Sequence, residues 1–171
     1  MTRSRQAAFR IPAALALAAA MLGGCSPMAS DAGQQQAQAP VSPARHPISG
    51  LEVIPLSITA AGGRHDFRVE VARSEEQQDY GLMFRTAMGA DEGMIFIRDF
   101  NQPASFWMKN TVIPLDIIFI GKDRRILNIA ANAVPYSLTP VNSAGVVSAV
   151  LELNGGRAAQ LGIKPGDAVA W

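Results

Sequence analysis

Leu115-Asp116-Ile117-Ile118-Phe119-Ile120, then Gly121-Lys122-Asp123, then Arg125-Ile126-Leu127-Asn128-Ile129-Ala130-Ala131, is the stretch that decides the fold class of this chain. An apolar run, a turn triplet and a second apolar run read as two strands joined by a hairpin. Side chains alternate faces along a strand, so Asp116 shares a face with Ile118 and Ile120. A carboxylate on an apolar face is rarely left unpaired. Arg85 and Lys109 are the candidates to meet it.

Working outward, Glu52 to Thr59 reads as a strand that Pro55 demotes to an edge. Ala60 to Arg64 holds a Gly-Gly turn, and Phe67, Val69 and Val71 alternate with Arg68, Glu70 and Ala72 as a half-buried strand. Ser74-Glu75-Glu76-Gln77 has the form of a capping box, which predicts a short helix to about Tyr80, ended by Gly81. Met94 to Arg98, Ser105 to Lys109 and Val146 to Leu153 read as further strands, with Val134 to Gly145 as a Pro-, Ser- and Asn-rich loop. Ala158 to Leu161 is one or two helical turns stopped by Gly162; Lys164-Pro165-Gly166-Asp167 turns, and Ala168 to Trp171 is a last strand. The expected fold is α+β and β-rich: a single compact barrel-like or strongly bent sheet with two short helices.

The N-terminus carries a different signal. Arg3, Arg5 and Arg10 precede Ile11 to Leu22, an almost wholly apolar run too short to span a bilayer as a stable helix. Leu22-Gly23-Gly24-Cys25, with the only cysteine in the chain, resembles the lipobox of bacterial lipoproteins. That resemblance implies a signal peptide over 1–24, cleavage before Cys25 and lipidation of Cys25, a membrane anchor of several acyl chains. Ser26 in place of aspartate implies, in a double-membraned bacterium, the periplasmic face of the outer membrane. Residues 25–50, rich in Ala, Gln and Pro, read as a flexible tether, and 51–171 as one globular domain. The chain holds 15 Lys and Arg against 14 Asp and Glu; without three leader arginines the balance is 12 against 14, about −2. That charge and the lack of a basic run exclude nucleic acid as a partner. With Cys25 lipidated, no thiol nucleophile or disulfide remains.

Five segments occur in order: Gly81-Leu82-Met83-Phe84-Arg85, Gly93-Met94-Ile95-Phe96, Phe106-Trp107-Met108-Lys109-Asn110-Thr111, Ile113-Pro114-Leu115-Asp116 and Leu151-Glu152-Leu153-Asn154-Gly155-Gly156. Together they resemble the bacterial and archaeal "domain of unknown function 192" family, from about Phe67 to the C-terminus, with a departure at Gly155, where the family more often has alanine. The resemblance implies a fold and a site region and carries no settled activity.

The residues themselves suggest one cleft. Trp107 would be a stacking platform, Arg85, Lys109, Asn110, Asp116 and Glu152 polar contacts, and Thr111 would be presented with Asn110 at a strand end. An aromatic face with carboxylate and amide groups suits a glycan, and Arg with Lys adds recognition of a small anion. The plainer reading has Trp107 filling the core edge and Asp116 capping the Asn110-Thr111 loop or pairing with an arginine. Catalysis is weakly supported: the only histidines are His46 and His65, and no Gly-x-Ser-x-Gly, His-x-x-x-His or glycine-rich phosphate loop is present. Met83, Met88, Met94 and Met108 raise Cu(I) as an alternative, since thioethers favour that ion, against their ordinary use as core filler. No cofactor is expected. A structural or assembly lipoprotein touching a protein partner is the other alternative, although an edge strand carrying Pro55 offers little for strand addition.

Overall fold

The structure, a computed structural model, describes residues 44–98 and 102–171. The expected signal peptide, Cys25 and most of the tether lie outside the described residues. In chain order the elements are β1 (Val53–Ala60), β2 (Gly63–Ala72), α1 (Glu75–Tyr80), β3 (Glu92–Ile97), β4 (Pro103–Phe106), β5 (Leu115–Ile120), β6 (Ile126–Ala133), β7 (Val141–Val146), β8 (Ala149–Asn154), α2 (Arg157–Leu161) and β9 (Ala168–Ala170).

Seven strands form one sheet in the order β6-β5-β8-β3-β2-β1-β9. The sheet is strongly curled, and its two edges meet at one end. There Arg125 bridges to Ala168, Ile126 N–H donates to the Asp167 carbonyl at 3.0 Å, and Val169 N–H to the Arg124 carbonyl at 2.8 Å. Closing the edges removes unpaired strand groups that would otherwise template aggregation. β2 and β3 are parallel, joined through α1; the other pairings are antiparallel. β4 and β7 form a separate two-stranded ribbon.

Two apolar clusters occupy the two faces. Inside the curl lie Leu56, Ile58, Phe67, Val69, Ile95, Ile118, Ile120, Leu151 and Leu153, closed by Ala158 and Ile163. On the outer face lie Leu82, Met94, Phe96, Met108, Leu115, Ile117, Phe119 and Val150, with Ala104 of the β4–β7 ribbon and partly buried Phe106 and Val141 against them. β5 contributes to both, which is why all six of its residues are buried. At roughly 25 cal/mol per Å² of apolar surface removed from water, such two-sided burial is the main term holding the sheet.

Most local signals hold. Ser74 accepts from Gln77 N–H, Gln77 closes the capping box, and Gly81 ends α1 at φ 50°. Gly162 ends α2 in the left-handed region. Pro55 sits where β1 has β2 on one side only, because β9 pairs with β1 from Ser57 to Thr59.

Three expectations need correction. The 134–145 loop gives way to strand β7, an outcome its Asn, Ser and Gly content argues against. The strand is held from outside: Asn128 of β6 donates to the Asn142 carbonyl and accepts from Ala144 N–H, while Ser143 Oγ accepts from Ala104 N–H. The strand placed at Ser105–Lys109 ends at Phe106, where the chain turns and Met108 N–H donates to the Ser137 carbonyl. Residues 44–50, assigned to the tether, fold onto the domain. Val53 N–H donates to the Ala44 carbonyl at 2.7 Å, and Gly50 N–H to the His46 carbonyl at 2.8 Å.

Candidate functional site

A cleft of about 580 Å³ opens on the outer face of the sheet. One wall is the N-terminal stretch of the crossover: Arg73, then Glu75, Gln78, Asp79 and Tyr80 of α1, then Gly81 to Met83. The opposite wall is Arg98, Ser105, Phe106, Trp107, Lys109 and Thr111. Phe96 of β3 and Glu152 of β8 also line it. The α1 wall is anchored by Gln78, whose side-chain amide donates to the Ile97 carbonyl at 3.0 Å. Gly81 keeps the cleft open at its inner end, since a Cβ there would lie 3.3 Å from the Phe96 ring.

Glu152 is the unusual group. It stands between Met94 of β3 and Ile117 of β5 in the ladder, on the outer, apolar face, and is 5% exposed. Among the described residues its carboxyl has neither a hydrogen bond nor an ion pair within 4 Å. Burial alone pushes its pKa up from 4.5 to about 8, because removing a carboxylate from water penalises the charged form. At neutral pH it is therefore mostly protonated. Its strand is held tight: a Cβ on Gly93 of β3 would lie 2.5 Å from the Glu152 carbonyl, so only glycine permits this approach.

The aromatic wall is layered. Phe96 and Phe106 meet edge to face at 5.1 Å, and Phe106 meets Phe119 at 6.2 Å. Arg98 lies over the Phe106 ring at 5.6 Å, and its Nε is buried without a partner among the described residues. The Lys109 ammonium sits 5.4 Å from the Trp107 ring centre, and Trp107 itself is 52% exposed. Formal charges in the lining balance, Arg73, Arg98 and Lys109 against Glu75, Asp79 and Glu152. A protonated Glu152 tips that balance to a net positive cleft.

Of the seven residues singled out in the sequence, the cleft gathers Trp107, Lys109, Thr111 and Glu152. Asn110 sits just outside it in a left-handed turn at φ 56°, where its amide reaches Met83 Sδ at 3.7 Å. Arg85 and Asp116 lie elsewhere, and the expected pairing of Asp116 with Arg85 or Lys109 does not occur. Asp116 accepts from Asn132 N–H at 2.9 Å, Gly156 N–H at 2.9 Å and Ala158 N–H at 2.8 Å, so it fixes the entry to α2 rather than the Asn110-Thr111 loop. The N-cap of α2 is Gly156, which has no side chain, and Asp116 supplies the missing acceptor from a neighbouring strand.

Arg85 is buried against Glu70, Nη1 to Oε1 at 2.8 Å and Nη2 to Oε2 at 3.1 Å. The Ser49 hydroxyl donates to Glu70 Oε2, and His46 Nδ1 lies 3.6 Å from the same oxygen. This clasp was missed because Glu70 alternates with Val69 and Val71 like any solvent-facing residue; only Ala72, the next on that face, hinted at burial. Arg98 was missed as well, since nothing local marks a basic residue at a strand end as cleft-lining. Of the four methionines considered for Cu(I), Met83 lines the cleft, Met94 and Met108 are buried in the outer apolar cluster, and Met88 packs against it. Among the described residues no group of three or more His, Cys, Asp or Glu is placed to hold a metal.

The family model of DUF192, "Uncharacterized ACR", matches residues 56–171. The chain belongs to that family. It is similar to a protein of unknown function from Novosphingobium aromaticivorans DSM 12444, known from a crystal structure. The two are 61% identical, with a TM-score of 0.74, over 77% of this chain and 94% of that one. A second crystal structure, described as a "putative transcription regulator" from Sinorhizobium meliloti 1021, is 39% identical, with a TM-score of 0.67, over 77% of this chain and 97% of that one. No curated protein matches.

Proposed function

We propose that this protein is a lipid-anchored envelope protein whose domain binds a small ligand, a glycan or a small anion, in the Trp107 cleft without chemical conversion. The observation that carries the binding reading is Glu152, a buried carboxyl with no partner among the described residues, lining an open cleft. A nearly buried carboxyl that faces a cleft and has no protein partner among the described residues is placed to meet a ligand. Exposed Trp107 offers a flat face for a sugar ring, and Lys109 and Arg98 offer cationic donors for an anion. The cleft volume lies within the usual range for small-molecule sites, roughly 300–1,000 Å³. The anchoring reading rests on the leader arginines, the apolar run and Leu22-Gly23-Gly24-Cys25. Cys25 would be the lipidated residue, at the periplasmic face of the outer membrane.

The test is titration of the full chain, purified in detergent, with peptidoglycan fragments, oligosaccharides and inorganic phosphate while the Trp107 indole resonance is followed. Trp171→Phe assigns the second indole. Saturable movement of the Trp107 signal, abolished in Trp107→Ala with the fold intact, supports binding. A variant that folds and binds as before rules the cleft out. Metabolic labelling with palmitate, lost in Cys25→Ser, tests the anchor.

A second reading, a structural lipoprotein touching a protein partner, is favoured by one observation. Phe84 and Tyr136 are both largely exposed, and their N–H groups donate to the Asn110 and Thr111 carbonyls, which seats them on either side of one turn. Exposed aromatics so fixed are the kind of anchor that protein interfaces use. Binding that persists in Trp107→Ala and disappears in a Phe84→Ser, Tyr136→Ser variant identifies that reading.

A further inference from the structure

We propose that Glu152 is the ammonium-binding group of the cleft, and that the ligand class is a small zwitterion: a primary ammonium seated against Glu152 and the aromatic wall, with a carboxylate or phosphate held by Lys109 and Arg98. The inference rests on the binding reading above and names its substrate class.

Three features of the cleft lining lead to it. Glu152 supplies a carboxyl more than nine-tenths buried, without a partner among the described residues, on the cleft lining. Phe96 and Phe106 stack edge to face in the same lining, and aromatic faces attract cations most strongly when water is excluded. Lys109 and Arg98 bring positive charge to the wall that Phe106 and Trp107 share, and Arg98 Nε is buried with no partner among the described residues. A pure anion would meet the cationic side and could accept only from the protonated Glu152 carboxyl, so its affinity would fall as pH rises toward about 8. A neutral sugar would leave the cationic wall unused. A metal ion is a poor alternative, since no cluster of three His, Cys, Asp or Glu exists among the described residues. A zwitterion gives Glu152 a cation and gives Lys109 and Arg98 an anion.

The pH dependence follows from the groups that face the cleft. Glu152 starts mostly protonated at neutral pH, so binding an ammonium ionises it and releases a proton. Affinity for an amine therefore rises with pH up to about 8, until the ligand's own amine deprotonates. The other charged or titratable lining groups are Arg73, Glu75, Asp79, Tyr80, Arg98 and Lys109. Of these Glu75 and Asp79 are the competing acids, both on α1, and a double Glu75→Gln, Asp79→Asn variant isolates Glu152.

The experiment is calorimetry and Trp107 indole NMR on the full chain in detergent, from pH 6 to 9. The probes are glucosamine 6-phosphate and D-alanyl-D-alanine, each beside its N-acetylated form. The two probes share ammonium and anion, and they separate an amino-sugar phosphate from a peptide end as the source. The expected result has one amine form binding at least tenfold more tightly than its N-acetyl form, with affinity rising from pH 6 to 8. Buffers of different ionisation enthalpy should show one proton released. Glu152→Gln should remove the preference and the pH step, and the double α1 variant should keep both. Equal or tighter binding of the N-acetyl forms, with affinity falling as pH rises, overturns the zwitterion and leaves the binding cleft standing. No movement of Trp107 with any of the four probes, or with those named for the binding reading, overturns both.

Discussion

Glu70 and Glu152 stand in one row on the outer face of the sheet, with Met94 between them in the register: Glu70 beside Met94, Met94 beside Glu152. Both are nearly excluded from solvent. Glu70 is met by Arg85 in a two-point ion pair, by the Ser49 hydroxyl and by His46. Glu152 is met by nothing among the described residues and lines a cleft. The same residue type, two strands apart, is a structural clasp in one place and an open valence in the other. What separates them is the covering chain. Residues 44–50 and the segment after α1 close over Glu70, whereas over Glu152 α1 and the β4–β7 ribbon stand apart.

The largest expected effect breaks the clasp. Arg85→Ala leaves Glu70 buried and uncompensated and should cost about 3–5 kcal/mol of stability, read from urea unfolding midpoints. Loss of that size without loss of the Trp107 indole response in surviving folded protein would show that clasp and cleft are separate. A near-neutral Arg85→Ala would mean that the pair is not buried as described.

Asp116→Ala comes next. Three backbone N–H groups lose their acceptor, and about 3 kcal/mol should follow, with α2 and the 154–158 turn exchanging amide hydrogens faster than β5. Unchanged stability with weakened ligand binding would return Asp116 to the cleft, where the sequence had suggested it.

Glu152 reverses the sign of the usual carboxylate effect. Its folded pKa, about 8, lies above the ordinary 4.5. Between those values the folded state holds the proton more tightly than the unfolded state, so stability is full below about 4.5 and falls as pH rises toward about 8. The expected decline is roughly 3 kcal/mol between pH 5 and 7. Glu152→Gln should flatten that slope and gain stability at pH 8. A wild-type curve already flat from pH 5 to 8 would mean that the carboxyl is solvated after all.

Much of this architecture was legible locally. The capping box at Ser74, the stop at Gly162 and the hairpin at Gly121-Lys122-Asp123 need only neighbouring residues, and all three stand as read. β7 was not legible, because Asn142, Ser143 and Gly145 are poor strand formers and the strand exists through side chains of β6 and the edge of β4. The site divides the same way. Exposed Trp107 and adjoining Lys109 and Thr111 follow from one local segment. The roles of Asp116 and Arg85 depend on partners 16 to 42 and 15 residues away, which no local pattern names. Glu152 was legible as a question, an acid inside an apolar strand, but not as an answer, since only the fold shows that it lines a cleft with no charged or hydrogen-bonding partner among the described residues.

The smallest effect sharpens the comparison most. Ser49 belongs to a segment that composition assigns to a tether, yet its hydroxyl donates to Glu70 and accepts from Leu51 N–H at 3.2 Å. If that segment closes the clasp, Ser49→Ala removes one hydrogen bond to a charged acceptor and should cost about 1.5 kcal/mol. Amide exchange should then rise at Gly50, Leu51 and Val53, whose N–H groups hold the turn, while β5 and β8 stay protected. If exchange is already fast there in the wild type and Ser49→Ala changes nothing, the segment is tether as its composition suggests. Glu70 would then be held by Arg85 alone, and the difference between the two acids would narrow to one guanidinium.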